Sequence, residues 1–102
     1  MAPSPLILLD PSDNVLVCRQ SVAAGAAVEI DGQAVVIATD IPVGHKVARR
    51  DLGPGDKVLK YGAPIGSTTR AVGRGEHVHM HNMQSDYIPA HTRATTQAGD
   101  GQ

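Results

Sequence analysis

The chain has 102 residues and a formal net charge of −1, with 9 basic side chains against 10 acidic ones. That length holds one small domain and leaves no room for a second, and the near-neutral balance gives no support for the basic surface of a nucleic-acid binder. There is no Trp or Phe, two Tyr, one Cys, 11 Gly and 7 Pro, so a core must be built from aliphatic side chains, no internal disulfide can form and turns must be frequent.

The opening MAPSPLILLD has no basic n-region and only a short apolar run, Leu6 to Leu9. Neither a signal peptide nor a membrane span is expected, and the expected location is the cytoplasm. Asn14 to Arg19 reads as a strand. Ala27 to Ile30 and Gln33 to Ala38 are β-rich runs flanking Asp31-Gly32, a dipeptide suited to a two-residue hairpin turn. Val47 to Arg49, Lys57 to Lys60, Thr68 to Val72 and Glu76 to His81 are further short strands. Gly or Pro recurs every few residues between Pro42 and Gly75, which no ordinary helix tolerates. The expectation is an all-β domain of six to eight short strands over residues 1–84. Residues 85–102 are polar and weakly periodic, and are expected to form an extended or disordered arm.

One pattern occurs four times: an apolar residue, two spacers, Gly, two spacers and Val, at Val22-Gly25-Val28, Ile41-Gly44-Val47, Leu52-Gly55-Val58 and Val72-Gly75-Val78. The apolar residue anchors in the core, Gly takes the positive φ of a corner, and Val starts the outgoing strand. The spacing is too short and irregular for a solenoid, so these are recurring corners of one compact β structure.

The stretch GEHVHMHN places His77, His79 and His81 at alternate positions. On a strand they share one face, with neighbours about 6–7 Å apart, while Val78 and Met80 face the other way. Such spacing suits a pair of imidazoles converging on a metal, or one ligand and one acid–base group; the alternative is a solvated polar edge. His45 sits in a Gly corner with Lys46, and can either face solvent or deliver an imidazole or ammonium to a shared cleft. Lys60-Tyr61-Gly62 and Arg49-Arg50 could bind a carboxylate, or be surface cations. No phosphate loop, nucleophile elbow or CxxC is present.

From Ile41 to Asn82 the ordered motifs Gly44-His45-Lys46-Val47-Ala48, Asp51 to Val58, Lys60-Tyr61-Gly62 with Ile65-Gly66, and Gly75 to Asn82 resemble the small SAF-type domain of the altronate/galactarate dehydratase family. The small subunit of sulfolactate sulfo-lyase has a similar layout. The resemblance implies a β-clip fold and a role in eliminating a β-leaving group from a sugar acid or other hydroxy acid, with a divalent metal such as iron. It puts His45, His77 and His79 in a catalytic cleft. Lys46, Lys60, Tyr61 and Asn82 become substrate-binding candidates, and His77, His79 and His81 metal-ligand candidates. With 102 residues there is no room for the family's large region, so the expected role is a lyase subunit, inactive without a large dehydratase partner. An isolated chain could self-associate through its edge strands. The competing expectation is a stand-alone carbohydrate- or protein-binding SAF module. Partners other than nucleic acid and membrane are expected.

Overall fold

A computed structural model describes residues 4–86. Nine short strands and no helix occur among them: β1 (Leu6–Ile7), β2 (Val15–Cys18), β3 (Ala27–Ile30), β4 (Gln33–Val36), β5 (Lys46–Ala48), β6 (Lys57–Lys60), β7 (Ala63–Thr68), β8 (His77–Val78) and β9 (Met83–Gln84). The all-β expectation holds, with more and shorter strands than the pattern suggested. None of the described residues forms a helix long and apolar enough to cross a membrane.

The four corners carry the architecture. Gly25, Gly44, Gly55 and Gly75 have φ between 82° and 88°, as the third position of a type II turn requires. Each closes with the same backbone bonds. The Gly N–H reaches a distant carbonyl, that of Ile37, Cys18, Thr68 or Ala48 in turn, at 2.7–2.8 Å, and the next residue bonds back three positions. The apolar anchors pair with one another, Val22 with Ile41 and Leu52 with Val72. Corners one and three each lead into a hairpin, and corners two and four each lead into a strand of the main sheet. The second half of the domain therefore repeats the bonding of the first.

The main sheet is antiparallel, in the order β1-β2-β5-β8. Its residues alternate between two cores, as the period of two demands. Leu16, Cys18 and Val47 pack with Val22, Val28, Ile30, Ile37 and Ile41 beneath the β3–β4 hairpin. Val15, Ala48 and Val78 pack with Leu52, Val58 and Val72, and Ile65 and Met83 close that side.

Both hairpins turn on residues with positive φ: Asp31 (51°) and Gly32 (83°) in the first, Tyr61 (57°) and Gly62 (75°) in the second. The first was legible as Asp-Gly. The second relies on help from the chain's start, where the buried Asp13 carboxylate accepts from Tyr61 N at 3.0 Å and Gly62 N at 2.7 Å. Asn14 beside it donates to Lys57 O and accepts from Leu59 N, both at 2.8 Å.

Two strand expectations need correction. The strand expected over Thr68 to Val72 lies instead at Ala63–Thr68, because Tyr61-Gly62 makes the turn immediately before it. Pro64 is tolerated there because β9 pairs only with Ser67 and Thr68, leaving the Pro64 end of β7 bonded on one side. The strand expected over Glu76 to His81 stops at Val78, and residues 80–82 form a turn closed by Asn82 N and Met83 N bonding to His79 O at 3.0 and 2.9 Å. The start of the expected arm is pinned: Asp86 accepts from Lys57 Nζ at 2.7 Å and from Ser67 Oγ at 2.9 Å. The rest of the arm lies outside the described residues.

Candidate functional site

The edge strand β8 brings the histidines together. It pairs with β5 in the register Lys46↔Val78 and Val47↔His77, so the next pair along the ladder is His45 opposite His79. Side chains directly opposite on one face lie within van der Waals reach. The His45 and His79 rings stack with centroids 4.4 Å apart, His45 and His77 lie at 5.1 Å, and His77 and His79 at 5.4 Å. His45 Nδ1 and His77 Nε2 are 2.9 Å apart, so one ring supplies the N–H and the other the lone pair.

Asn82 holds this arrangement in place. It is completely buried. Its amide nitrogen donates to His77 O at 2.7 Å, and its amide oxygen accepts from His79 N at 2.9 Å. Asn82, expected to meet substrate, clamps the backbone between two of the imidazoles. His81 sits past the end of β8 in the turn. It is exposed, with its ring 5.3 Å from His77.

The donors that converge are His45, His77 and His79, each offering one ring nitrogen, all within 4.8 Å of one another. This set exchanges His81 for His45 relative to the ligand set expected from the sequence. It fits a divalent transition metal. Imidazole nitrogen is a favoured donor for zinc, iron, copper and nickel. Burial, followed by the charges of His45, His81, His79 and Lys46, holds His77 below the ordinary histidine value. Burial and the charges of His45, Lys46 and His81 do the same for His79. Both rings are thus biased toward the neutral form that a metal requires.

Of the expected substrate-binding cations, Lys46 points away from the imidazoles. Strand alternation puts Lys46 with Ala48 and Val78, on the face of β5 away from the imidazoles. Lys46 is pushed below the ordinary lysine value by burial and then by the neighbouring charge of Lys60. The Lys60 ammonium stands 6.0 Å from the ring of Tyr61, which is 71 % exposed. Arg49 is occupied structurally, bonding Asp31 and the carbonyls of Pro11 and Asp13.

Sequence reasoning missed a cleft of about 460 Å³ beside the imidazoles, whose lining includes Thr39, Arg70, Arg74, Glu76, His77 and His81. Its signal was the fourth corner, Gly73-Arg74-Gly75-Glu76, read as a turn without regard to the charges on it.

Known proteins resemble the chain across this whole region. Its residues 4–86 match the family described as the altronate/galactarate dehydratase SAF domain. It is 40 % identical over 74 residues to the altronate dehydratase of Escherichia coli (strain K12), covering 72 % of this chain and 15 % of that protein. It is 32 % identical over 80 residues to the altronate dehydratase of Bacillus subtilis (strain 168), covering 78 % and 16 %. Against the alpha subunit of (2R)-sulfolactate sulfo-lyase from Chromohalobacter salexigens it is 47 % identical over 45 residues, covering 44 % of this chain and 48 % of that one. The chain thus spans 15–16 % of the length of the curated altronate dehydratases it matches. The motifs and the nine-stranded, corner-built fold agree, and the chain belongs to the SAF domain family of the altronate/galactarate dehydratases.

Proposed function

We propose that this chain is the small subunit of a hydroxy-acid or sugar-acid hydro-lyase, and that it presents His45, His77 and His79 to an active site completed by a large dehydratase subunit. The observation that carries this reading is the convergence of three imidazoles at the open edge of the main sheet, in a chain whose curated relatives are lyases. The name of one relative, a subunit alpha, supports a partner chain.

Elimination of water from a hydroxy acid breaks the C–H bond beside the carboxylate and the C–O bond at the next carbon. The three imidazoles would hold a divalent cation, with iron as the first candidate. When bound, that ion supplies positive charge to polarise an oxygen of the substrate. As ligands these rings are committed through their lone pairs, so the base that takes the carbon-bound proton comes from the partner. Asn82 fixes the spacing of two of the rings from behind, and the half-buried edge keeps water from one side of them.

Affinity capture of the tagged chain from its native host, followed by assay of the captured assembly on altronate and galactarate with ferrous iron, tests this. Recovery of a large dehydratase-like polypeptide, turnover of a hydroxy acid, and loss of both bound metal and turnover in His77→Ala and His79→Ala are expected. Recovery of the chain alone, with no turnover, would replace this reading with the stand-alone binding module. Full metal content and activity in both variants would remove the imidazoles from the mechanism.

A further inference from the structure

The cleft next to the imidazoles has the chemistry of an anion site. One wall is the end of the first hairpin, Val36, Ala38 and Thr39. The other is the fourth corner and the segment before it, with Arg70, Arg74 and Glu76, and His77 and His81 form the end nearest the imidazole trio. Its two guanidiniums outnumber its one carboxylate.

The two arginines differ in what they already do. Arg74 is built into the wall: its guanidinium bonds the Gln33 side chain, and its backbone N–H donates to Asp51 at 2.9 Å. Arg70 carries only a long ion pair. Its nearest charged partner is Glu76 at 4.0 Å, too far for a hydrogen bond, and its side chain is 59 % exposed. Its planar fork of donors therefore remains available to a carboxylate, which it can meet with two parallel bonds. The Thr39 hydroxyl, Glu76 and the exposed His81 offer the mixed donors and acceptors that hydroxyl groups need. A volume of about 460 Å³ lies in the range of small-molecule sites.

We infer that this cleft is the substrate-carboxylate subsite, with Arg70 pairing the carboxylate of a polyhydroxy acid and Thr39, Glu76 and His81 bonding its hydroxyls. The inference rests on the proposed lyase role for the class of substrate, and it relocates substrate recognition. Lys46, read from the sequence, lies on the far face of β5, whereas the cleft shares His77 with the trio. A hydroxy acid anchored at Arg70 extends along the cleft toward the ring nitrogens.

Two measurements test it. In the first, the full chain is titrated with altronate while amide and Arg side-chain resonances are followed by NMR, with altritol as the uncharged control. Shifts at Arg70, Thr39 and His81 with altronate and not with altritol are expected. They should vanish in Arg70→Gln, weaken in Arg70→Lys and persist in Arg19→Gln, a surface change outside the cleft. Absence of those shifts in the parent, or their survival in Arg70→Gln, overturns the inference. In the second, KM and kcat are measured on the captured assembly. Arg70→Gln should raise KM by about ten- to a hundred-fold with little change in kcat, the loss expected for one charge-assisted bidentate contact. An active assembly with unchanged KM in Arg70→Gln would refute the subsite and leave the lyase reading standing. An inactive assembly whose chain still binds altronate through Arg70 would refute the lyase reading and leave the subsite standing.

Discussion

Replacing Asn82 with Ala should unfasten the histidine edge before it unfolds the domain. The side chain is wholly buried and makes two bonds, donating to His77 O and accepting from His79 N. Truncation leaves a carbonyl and an N–H without their partner in a buried place, each costing about 1–3 kcal/mol. The small void adds to this cost. A total of about 2–6 kcal/mol is a large share of the stability of a domain this size. It should lower Tm by about 10–45 °C, read by circular dichroism, with the midpoint in urea falling at constant m. Because the clamp spans His77 and His79, Zn²⁺ affinity measured by competition with a chelator should also fall, by about ten- to a hundred-fold as for other supporting groups. Asn82→Asp sharpens the test. Its carboxylate keeps an acceptor for His79 N but turns an oxygen toward His77 O, so it should be destabilised at neutral pH as well. An Asn82→Ala protein with Tm within about 2 °C of the parent and undiminished zinc affinity would refute the clamp.

Gly44 and Gly75 occupy equivalent corners with φ of 84° and 82°, but a Cβ on Gly44 meets open space while one on Gly75 would lie 2.5 Å from Val35 Cγ1. Gly44→Ala should cost about 1–2 kcal/mol of backbone strain, and Gly75→Ala about 1–3 kcal/mol more from overpacking; Val35→Ala should recover part of the difference, and equal midpoints in urea for the two Gly variants would contradict this. Burial first, and neighbouring positive charge second, hold His77 and His79 below the ordinary value of 6.5. The folded state then binds fewer protons than the unfolded one between the lowered values and 6.5. The contribution is complete above about pH 6.5 and is lost as pH falls through the lowered values. Chemical denaturation at pH 7.5 and 5.5 should show a loss at the lower pH that is smaller in His77→Gln/His79→Gln, and identical pH dependence in parent and double variant would count against it.

The four Gly corners were legible because each carries its own local chemistry, an apolar anchor, a Gly able to take positive φ and a β-branched exit. The Asp31-Gly32 turn was legible for the same reason. Tyr61-Gly62 was not, since Tyr rarely takes a positive φ. What stabilises it is the Asp13 carboxylate nearly fifty positions away in sequence, and a local reading of propensity does not see that. The missing turn displaced the strand after it. Among the site residues, alternation correctly put His77 and His79 on one face. The partnership of His45 with them depends on the β5–β8 register, which no single segment encodes. The Asn82 clamp was not legible, because a polar residue in a His-rich stretch reads as a ligand contact. Its burial follows only from the turn that folds residues 80–82 back over the backbone. Arg49 and Arg70 look alike in sequence, yet one is used up by Asp31 and two carbonyls while the other faces the cleft.

The repeated bonding of the two halves has a consequence for how such a domain arises and diverges. Counting from the corners, His45 and Lys46 stand where Glu76 and His77 stand in the second half, and the four corner glycines close through matching bonds. A half-length ancestor pairing with its own copy would have built the same two lobes, with like residues facing across the seam between β5 and β8. Fusion of two such copies would free each side to change alone. The residues that differ at that seam, His45-Lys46 on one side and Glu76-His77 on the other, put two of the three converging imidazoles and one end of the cleft where the two halves are least alike.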